Sequence, residues 1–126
     1  MTPKPTILVV DDDLPILTLM RSLLREFGFE AVTAENGREA IDAVRKRRPA
    51  AALIDKNMPG MTGAEVIRAL RNEPGFDGLP ILILSGEPVS STELKALGAD
   101  AAVLKPFDIQ ALIAQLRSFT AVEQTA

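Results

Sequence analysis

The chain has 126 residues, of which 47% are apolar and 25% are charged, and its formal net charge is −3. This length provides one domain with a hydrophobic core, and the acidic balance argues against a surface that binds nucleic acid directly. Cysteine and histidine are both absent, which excludes disulfides, thiolate chemistry and the acid–base or metal-binding roles of imidazole.

Five short apolar runs alternate with helical patterns along the chain. We predict strands at 6–10, 31–34, 51–54, 80–84 and 101–104. All except the second are nearly continuous in apolar residues, as in strands covered on both faces, whereas the second reads as an edge strand. Between the strands, apolar residues recur at helical spacing, for example at Ile16, Met20 and Leu24. The order predicts a (βα)5 fold, a doubly wound parallel α/β sheet in a single domain.

Several predicted helices carry a clear start signal. Residues 62–65 and 90–93 both fit the capping-box pattern, in which Ser or Thr is followed three residues later by Glu. Asp13 and Asp108 stand where an N-cap residue is expected. Pro88 lies in the short segment before the fourth helix and limits that helix to about two turns.

Polar residues follow four of the five predicted strands. Asp11 and Asp12 follow the first strand, Asp55 the third, Ser85 the fourth and Lys105 the fifth. In parallel α/β sheets, ligands bind outside the carboxyl ends of the strands. We therefore expect these side chains to share one site at that edge of the sheet.

The predicted site favours a hard divalent cation. Asp11, Asp12 and Asp55 would repel one another at close range, so at least one carboxyl pKa should rise. Oxygen-only ligation with few carboxylates suits Mg²⁺. We predict Asp12 and Asp55 as direct ligands, the backbone carbonyl of Asn57 as a third, and Asp11 as a ligand acting through water.

The same residues suit phosphoryl transfer. A cation at this position binds phosphoryl oxygens, Lys105 adds a second positive charge, and the Ser85 hydroxyl adds a hydrogen bond. Since the chain lacks His, Cys and Tyr, the nucleophile left at the centre is the Asp55 carboxylate. Carboxylates form aspartyl-phosphates, so we predict Asp55 as the phospho-acceptor.

Four motifs resemble those of receiver domains of two-component response regulators, the CheY-like family. They are VVDDDLPI, LIDKNMPGMTG, ILILSGE and VLKPF, in this order. The resemblance covers about residues 6–119 of a single domain, with 120–126 as a tail. It implies the flavodoxin-like strand order 2-1-3-4-5. It also implies Mg²⁺-dependent transfer of a phosphoryl group from a kinase phosphohistidine to Asp55, with Asp11 and Asp12 as the acid pair, Lys105 as the lysine and Ser85 as the switch hydroxyl.

Further expectations follow from the resemblance. The Lys105–Pro106 peptide bond is expected to be cis, and Asn57 and Glu87 match positions that tune how fast the phosphoryl group is lost. The implied partners are a histidine kinase or histidine phosphotransfer protein and a downstream protein effector. We predict no direct nucleic-acid or membrane contact, a monomer or weak dimer, and no turnover enzyme activity. No apolar run approaches the roughly 20 residues of a membrane span, and the N-terminus lacks a signal-peptide pattern, so we predict a cytoplasmic location.

The sequence departs from the family pattern at the usual output surface, formed by the fourth helix, fifth strand and fifth helix. The family's switch aromatic sits three residues before the lysine, where this chain has Ala102. The chain also contains no Tyr or Trp, and Pro88 shortens the fourth helix. The usual coupling between Ser85 and an inward-turning ring is therefore not available here.

Two alternative functions remain open from the sequence. One is a pseudo-receiver, a binding module with this fold that is never phosphorylated. The other is a small phosphohydrolase of the haloacid-dehalogenase type, whose D-x-D pattern is nominally satisfied by residues 11–13. The chain is short for that second class, and no acid pair follows a later strand to complete its metal site.

Overall fold

The computed structural model describes residues 4–120, which form a five-stranded parallel sheet flanked by helices. The strands are β1 (Thr6–Val10), β2 (Glu30–Ala34), β3 (Ala51–Asp55), β4 (Ile81–Ser85) and β5 (Ala101–Leu104). The helices are α1 (Leu14–Glu26), α2 (Gly37–Lys46), α3 (Gly63–Arg71), α4 (Ser91–Leu97) and α5 (Ile109–Thr120). The sheet order is β2-β1-β3-β4-β5, so the predicted fold and strand order are confirmed.

The three central strands are covered on both faces. Every residue of β1, β3 and β4 is buried. Alternate residues point to opposite sides, so Leu8 and Ile54 join the core beneath α2 and α3, while Ile7 and Leu53 join the core beneath α1 and α5. This double layer explains why these strands are nearly continuous in apolar residues.

The two outer strands are less well covered. In β2 only Ala34 is buried, as the prediction of an edge strand requires. The prediction that the fifth strand is covered on both faces is wrong, because in β5 only Val103 is buried and Leu104 is 51% exposed. Since β5 lies at the sheet edge, it has a neighbouring strand on one side only.

The helix caps follow the sequence signals with one exception. Asp13 caps α1, since its Oδ1 accepts a hydrogen bond from the Ile16 amide at 3.3 Å. Residues 62–65 form a complete capping box at the start of α3. Residues 90–93 form only half of one, because the Glu93 carboxylate pairs with Lys56 instead of bonding back to the N-cap backbone.

The fourth helix is short and loosely packed. It has seven residues, about two turns, which confirms the prediction made from Pro88. None of its side chains is buried. Of the described helices, none is both long enough and apolar enough to cross a lipid bilayer.

Candidate functional site

The strand register places the predicted site residues at one edge of the sheet. Asp55 and Ser85 are the last residues of β3 and β4. Each strand therefore ends one residue later than the sequence predicts, at 55 instead of 54 and at 85 instead of 84. The ladder extends by one residue because the Lys56 amide donates to the carbonyl of Leu84 at 2.8 Å. Likewise, the Lys105 amide donates to the carbonyl of Ser85 at 2.7 Å.

Three carboxylates meet at this edge, as predicted. One oxygen from each of Asp11, Asp12 and Asp55 lies within 4.8 Å of the other two. Asp11 and Asp55 are buried, whereas Asp12 is exposed. The Asp11 Oδ1 accepts a hydrogen bond from the Asp13 amide at 3.0 Å, but its Oδ2 is buried without a hydrogen-bond partner.

Lys105 joins the fifth strand to the acids. Its Nζ lies 2.7 Å from the Asp55 Oδ1 and 3.7 Å from the Asp11 Oδ2. The Lys105–Pro106 peptide bond is cis, as the resemblance implies. One ammonium group thus contacts carboxylates from two neighbouring strand ends.

The electrostatics of the site follow from burial and from the close charges. Burial raises the pKa of Asp11, and the charges of Asp55 and Asp12 raise it further, against the opposing effects of the Asp13 amide and Lys105. For Lys105, burial lowers the pKa, but the hydrogen bond to Asp55 and the three carboxylate charges outweigh burial, so the pKa is raised. The prediction that one carboxyl pKa rises is confirmed, and Lys105 is an ammonium ion.

The donor set fits a hard cation. The clustered ligand atoms are carboxylate oxygens from Asp11, Asp12 and Asp55, the ligand type that Mg²⁺ prefers. The Asp11 Oδ2 accepts no hydrogen bond and lies 3.7 Å from the Lys105 Nζ, so its negative charge is only partly compensated. Asn57 lies exposed in the loop after β3, two residues past Asp55, and its carbonyl remains a predicted ligand.

Ser85 shares this edge of the sheet but bonds elsewhere. Its hydroxyl donates to the carbonyl of Glu87 at 2.7 Å and accepts from the Glu87 amide at 3.1 Å. Ala102 pairs with Ile83 of β4 and packs against the core on the α2 and α3 side of the sheet. No ring therefore stands at the family's switch position.

Gly63, the first residue of α3, was not singled out from the sequence. Its amide donates to the carbonyl of Lys56 at 2.9 Å, which closes the loop after β3. A Cβ atom at this position would lie only 2.6 Å from the backbone oxygen of Asp55. This glycine stands in the quoted LIDKNMPGMTG motif, but the approach of its backbone to Asp55 depends on the fold of the whole loop.

The D-x-D pattern of a phosphohydrolase is not assembled. Asp13, its second acid, lies outside the acidic cluster because its side chain caps α1. The carboxylate that joins Asp11 and Asp12 is instead Asp55 of β3. The arrangement of acids thus matches the receiver pattern.

Comparison with known proteins gives the same family. The sequence matches the family model for the response regulator receiver domain over residues 7–117. The DNA-binding response regulator MtrA of Mycobacterium bovis is 36% identical over 119 residues, which span 93% of this chain and 51% of that protein.

Two solved structures are also similar. Chemotaxis protein CheY4 of Vibrio cholerae, crystallised at low pH, has a TM-score of 0.87 and 35% identity, covering 92% of this chain and 98% of that one. Response regulator TrrA of Thermotoga maritima, in complex with Mg²⁺ and BeF, has a TM-score of 0.80 and 31% identity, covering 91% and 98%. The chain spans about half the length of the curated relatives that it matches. The family match, the strand order and the acidic cluster together show that this chain belongs to the response regulator receiver domains of two-component signal transduction.

Proposed function

We propose that this domain accepts a phosphoryl group on Asp55 and that the modification changes its binding to a protein effector. One observation supports this most directly. The Asp55 carboxylate stands at the end of a central strand, in contact with the Lys105 ammonium and within 4.8 Å of two further carboxylates. Asp55 is buried and paired with the Lys105 ammonium, and it is not among the N-cap residues of α1 to α4, so helix capping does not explain its position.

Three residues have separate roles in the proposed phosphoryl transfer. An oxygen of the Asp55 carboxylate attacks phosphorus, and the bond to the donor's leaving group breaks with its electron pair. Lys105 orients that carboxylate through its 2.7 Å contact and places a positive charge beside the transferred group. Ser85 supplies a hydroxyl from the neighbouring strand end once its bonds to Glu87 open.

Mg²⁺ is the cofactor that we propose for this site. Asp12 and Asp55 would hold it directly, with the Asn57 carbonyl as a third ligand and Asp11 acting through water. When bound, a divalent cation neutralises charge on the phosphoryl oxygens during in-line transfer. The buried Oδ2 of Asp11, which accepts no hydrogen bond, supports this proposal. So does TrrA, whose structure contains Mg²⁺ and BeF.

The proposed partners follow from the family. The phosphodonor is a histidine kinase or a histidine phosphotransfer protein, and the domain loses its phosphoryl group slowly rather than turning over a substrate. MtrA is named a DNA-binding regulator, and this chain matches about half of it. Four further statements therefore stay predictions. They are the absence of direct nucleic-acid contact, the single domain over about 6–119, the monomeric or weakly dimeric state and the cytoplasmic location.

The test is the covalent mass of the protein after incubation with an acyl phosphate and Mg²⁺. The wild type should gain one phosphoryl group, which peptide mapping places on Asp55, and Asp55→Asn should gain none. Asp77→Asn, an exposed acid of the loop after α3, is the matched control and should react as the wild type does.

The same assay separates the alternatives. A wild type that gains no adduct with acyl phosphate and Mg²⁺ would be a pseudo-receiver. Steady hydrolysis of a phosphomonoester that survives Asp55→Asn but is abolished by Asp11→Asn would identify a phosphohydrolase. Either outcome would overturn the proposed function.

A further inference from the structure

Two capping-box sequences in this chain are used differently. At the start of α3, the Thr62 amide donates to the Glu65 Oε1 at 3.0 Å and the Glu65 amide donates to the Thr62 Oγ1 at 3.3 Å. At the start of α4, the Glu93 amide donates to the Ser90 Oγ at 3.1 Å, but the Glu93 Oε2 lies 2.7 Å from the Lys56 Nζ. The Glu93 carboxylate therefore contacts the Lys56 ammonium and does not make the bond to the Ser90 amide that would complete the capping box.

Lys56, the partner of Glu93, is adjacent in the chain to the proposed phospho-acceptor Asp55. It directly follows Asp55, and its backbone is fixed on both sides, since its amide donates to Leu84 and its carbonyl accepts from Gly63. Its side chain is 22% exposed, so the ammonium group can exchange partners through rotation of its own torsions. The residue that holds Glu93 is therefore tethered one peptide from the proposed phospho-acceptor.

The helix α4 packs on the core only through half-buried side chains, among them Leu94 and Leu97. None of its side chains is buried. Its C-terminal end is tied to α3 by Arg71, whose guanidinium donates to the carbonyl of Gly98 at 2.9 and 3.3 Å. Its N-terminal end contacts the loop after β3 through the Lys56–Glu93 ion pair, so a change in this pair acts directly on that end.

We propose that Glu93 is a two-position switch, which bonds to Lys56 in the unmodified domain and to the Ser90 amide in the phosphorylated one. This inference rests on the proposed function. A phosphoryl group on Asp55 carries a charge of roughly −1.5 to −2 and competes with Glu93 for the ammonium group of Lys56, the next residue in the chain. Glu93 is then free to complete the capping box that residues 62–65 already show.

The Lys56 ion pair and the Ser90 hydrogen bond of Glu93 are expected to be similar in free energy, as a two-position switch requires. A partly exposed ion pair and a helix-cap hydrogen bond fall in the same range of stabilisation, so a modest added charge reverses the preference. Because Ala102 replaces the usual ring, this route gives α4 a response to Asp55 that does not depend on an aromatic side chain.

The test is hydrogen exchange of the Ser90 amide, measured by NMR, with the Thr62 amide as an internal reference for a closed capping box. Each sample is first treated with acyl phosphate and Mg²⁺, and its adduct is checked by intact mass. In the wild type, phosphorylation should slow exchange at Ser90 by about five-fold, the effect of one cap hydrogen bond, and leave Thr62 unchanged.

Two variants test whether Lys56 is the residue that controls the position of Glu93. In Lys56→Gln, the Ser90 amide should already be protected without phosphorylation and should change little when the adduct forms. Lys95→Gln makes the same chemical change on the exposed side of α4 and should behave as the wild type does.

Two results would overturn the inference. One is a wild-type adduct that leaves Ser90 exchange unchanged, and the other is a Lys56→Gln variant that matches Lys95→Gln. The absence of any adduct would instead refute the proposed function, so the two failures are distinguishable in the same samples.

Discussion

The strand that ends at Asp55 and the strand that leads to Lys105 belong to one sheet but are held differently. All five residues of β3 are buried between two helix layers, whereas β5 has one buried residue and Leu104 is 51% exposed. The neighbouring α4 has no buried side chain. The proposed nucleophile thus stands on a fully buried strand, and we expect the less buried elements beside it to shift at lower energetic cost.

The largest test of this contrast is a pair of Leu→Ala substitutions. Leu53→Ala in β3 removes a fully buried side chain and should lower the free energy of unfolding by about 2–5 kcal/mol. Leu104→Ala in β5 removes a half-exposed one and should change it by less than about 0.5 kcal/mol. Urea denaturation measures both values. Equal losses would show that β5 is as tightly held as β3.

The sequence predicted the fold and the meeting of the acids because both depend on short-range patterns and on one topological rule. Parallel strands bring their carboxyl ends to a shared edge, so Asp11, Asp55 and Lys105 could be placed together from their positions alone. The burial of 101–104 could not be predicted, because a short run of Ala, Val and Leu has the same apolar pattern in an edge strand as in a strand covered on both faces.

Two contacts near Asp55 could not be predicted from local sequence. A capping box is a four-residue pattern, and it contains no information about Lys56, which reaches Glu93 from a different loop. The approach of Gly63 to the backbone of Asp55 likewise depends on how the intervening loop closes. Both contacts exist only once tertiary packing has brought distant segments together.

The second test concerns that close approach. Gly63→Ala places a methyl group against the backbone oxygen of Asp55, an atom that can move only with the strand end. We expect a loss of about 1–3 kcal/mol in the free energy of unfolding and slower phosphorylation of Asp55. Gly78→Ala is the matched control, because a Cβ there meets no atom within 4 Å, and both quantities should stay close to wild type.

The third test changes the charge of the rigid site. Asp11→Asn removes a buried carboxylate whose Oδ2 accepts no hydrogen bond, and should raise the free energy of unfolding by about 1–2 kcal/mol near pH 7 without metal. The pKa of Asp11 is raised in the folded protein, so the folded state binds this proton more tightly than the unfolded chain. Wild-type stability attributable to Asp11 therefore falls as pH rises through the carboxyl range.

The pH dependence of that difference identifies its cause. The advantage of Asp11→Asn should be smallest below the unfolded carboxyl pKa of about 3.9 and reach its full size above the raised folded pKa. Urea titrations at a series of pH values measure it. Asp42→Asn, an exposed acid on α2, should show no comparable gain. A destabilised Asp11→Asn variant would mean that Lys105 fully compensates the buried charge.

The smallest effect compares the two helix caps. Thr62→Ala breaks a closed box on α3, a helix with three fully buried side chains, and should lower the free energy of unfolding by about 1 kcal/mol. Ser90→Ala breaks a half-formed box on α4, which has none. Because α4 can fray while the core stays folded, we expect Ser90→Ala to speed amide exchange within α4 and leave global stability nearly unchanged. An equal global loss in both variants would place α4 within the same cooperative unit as α3, and the contrast between the two regions would then be wrong.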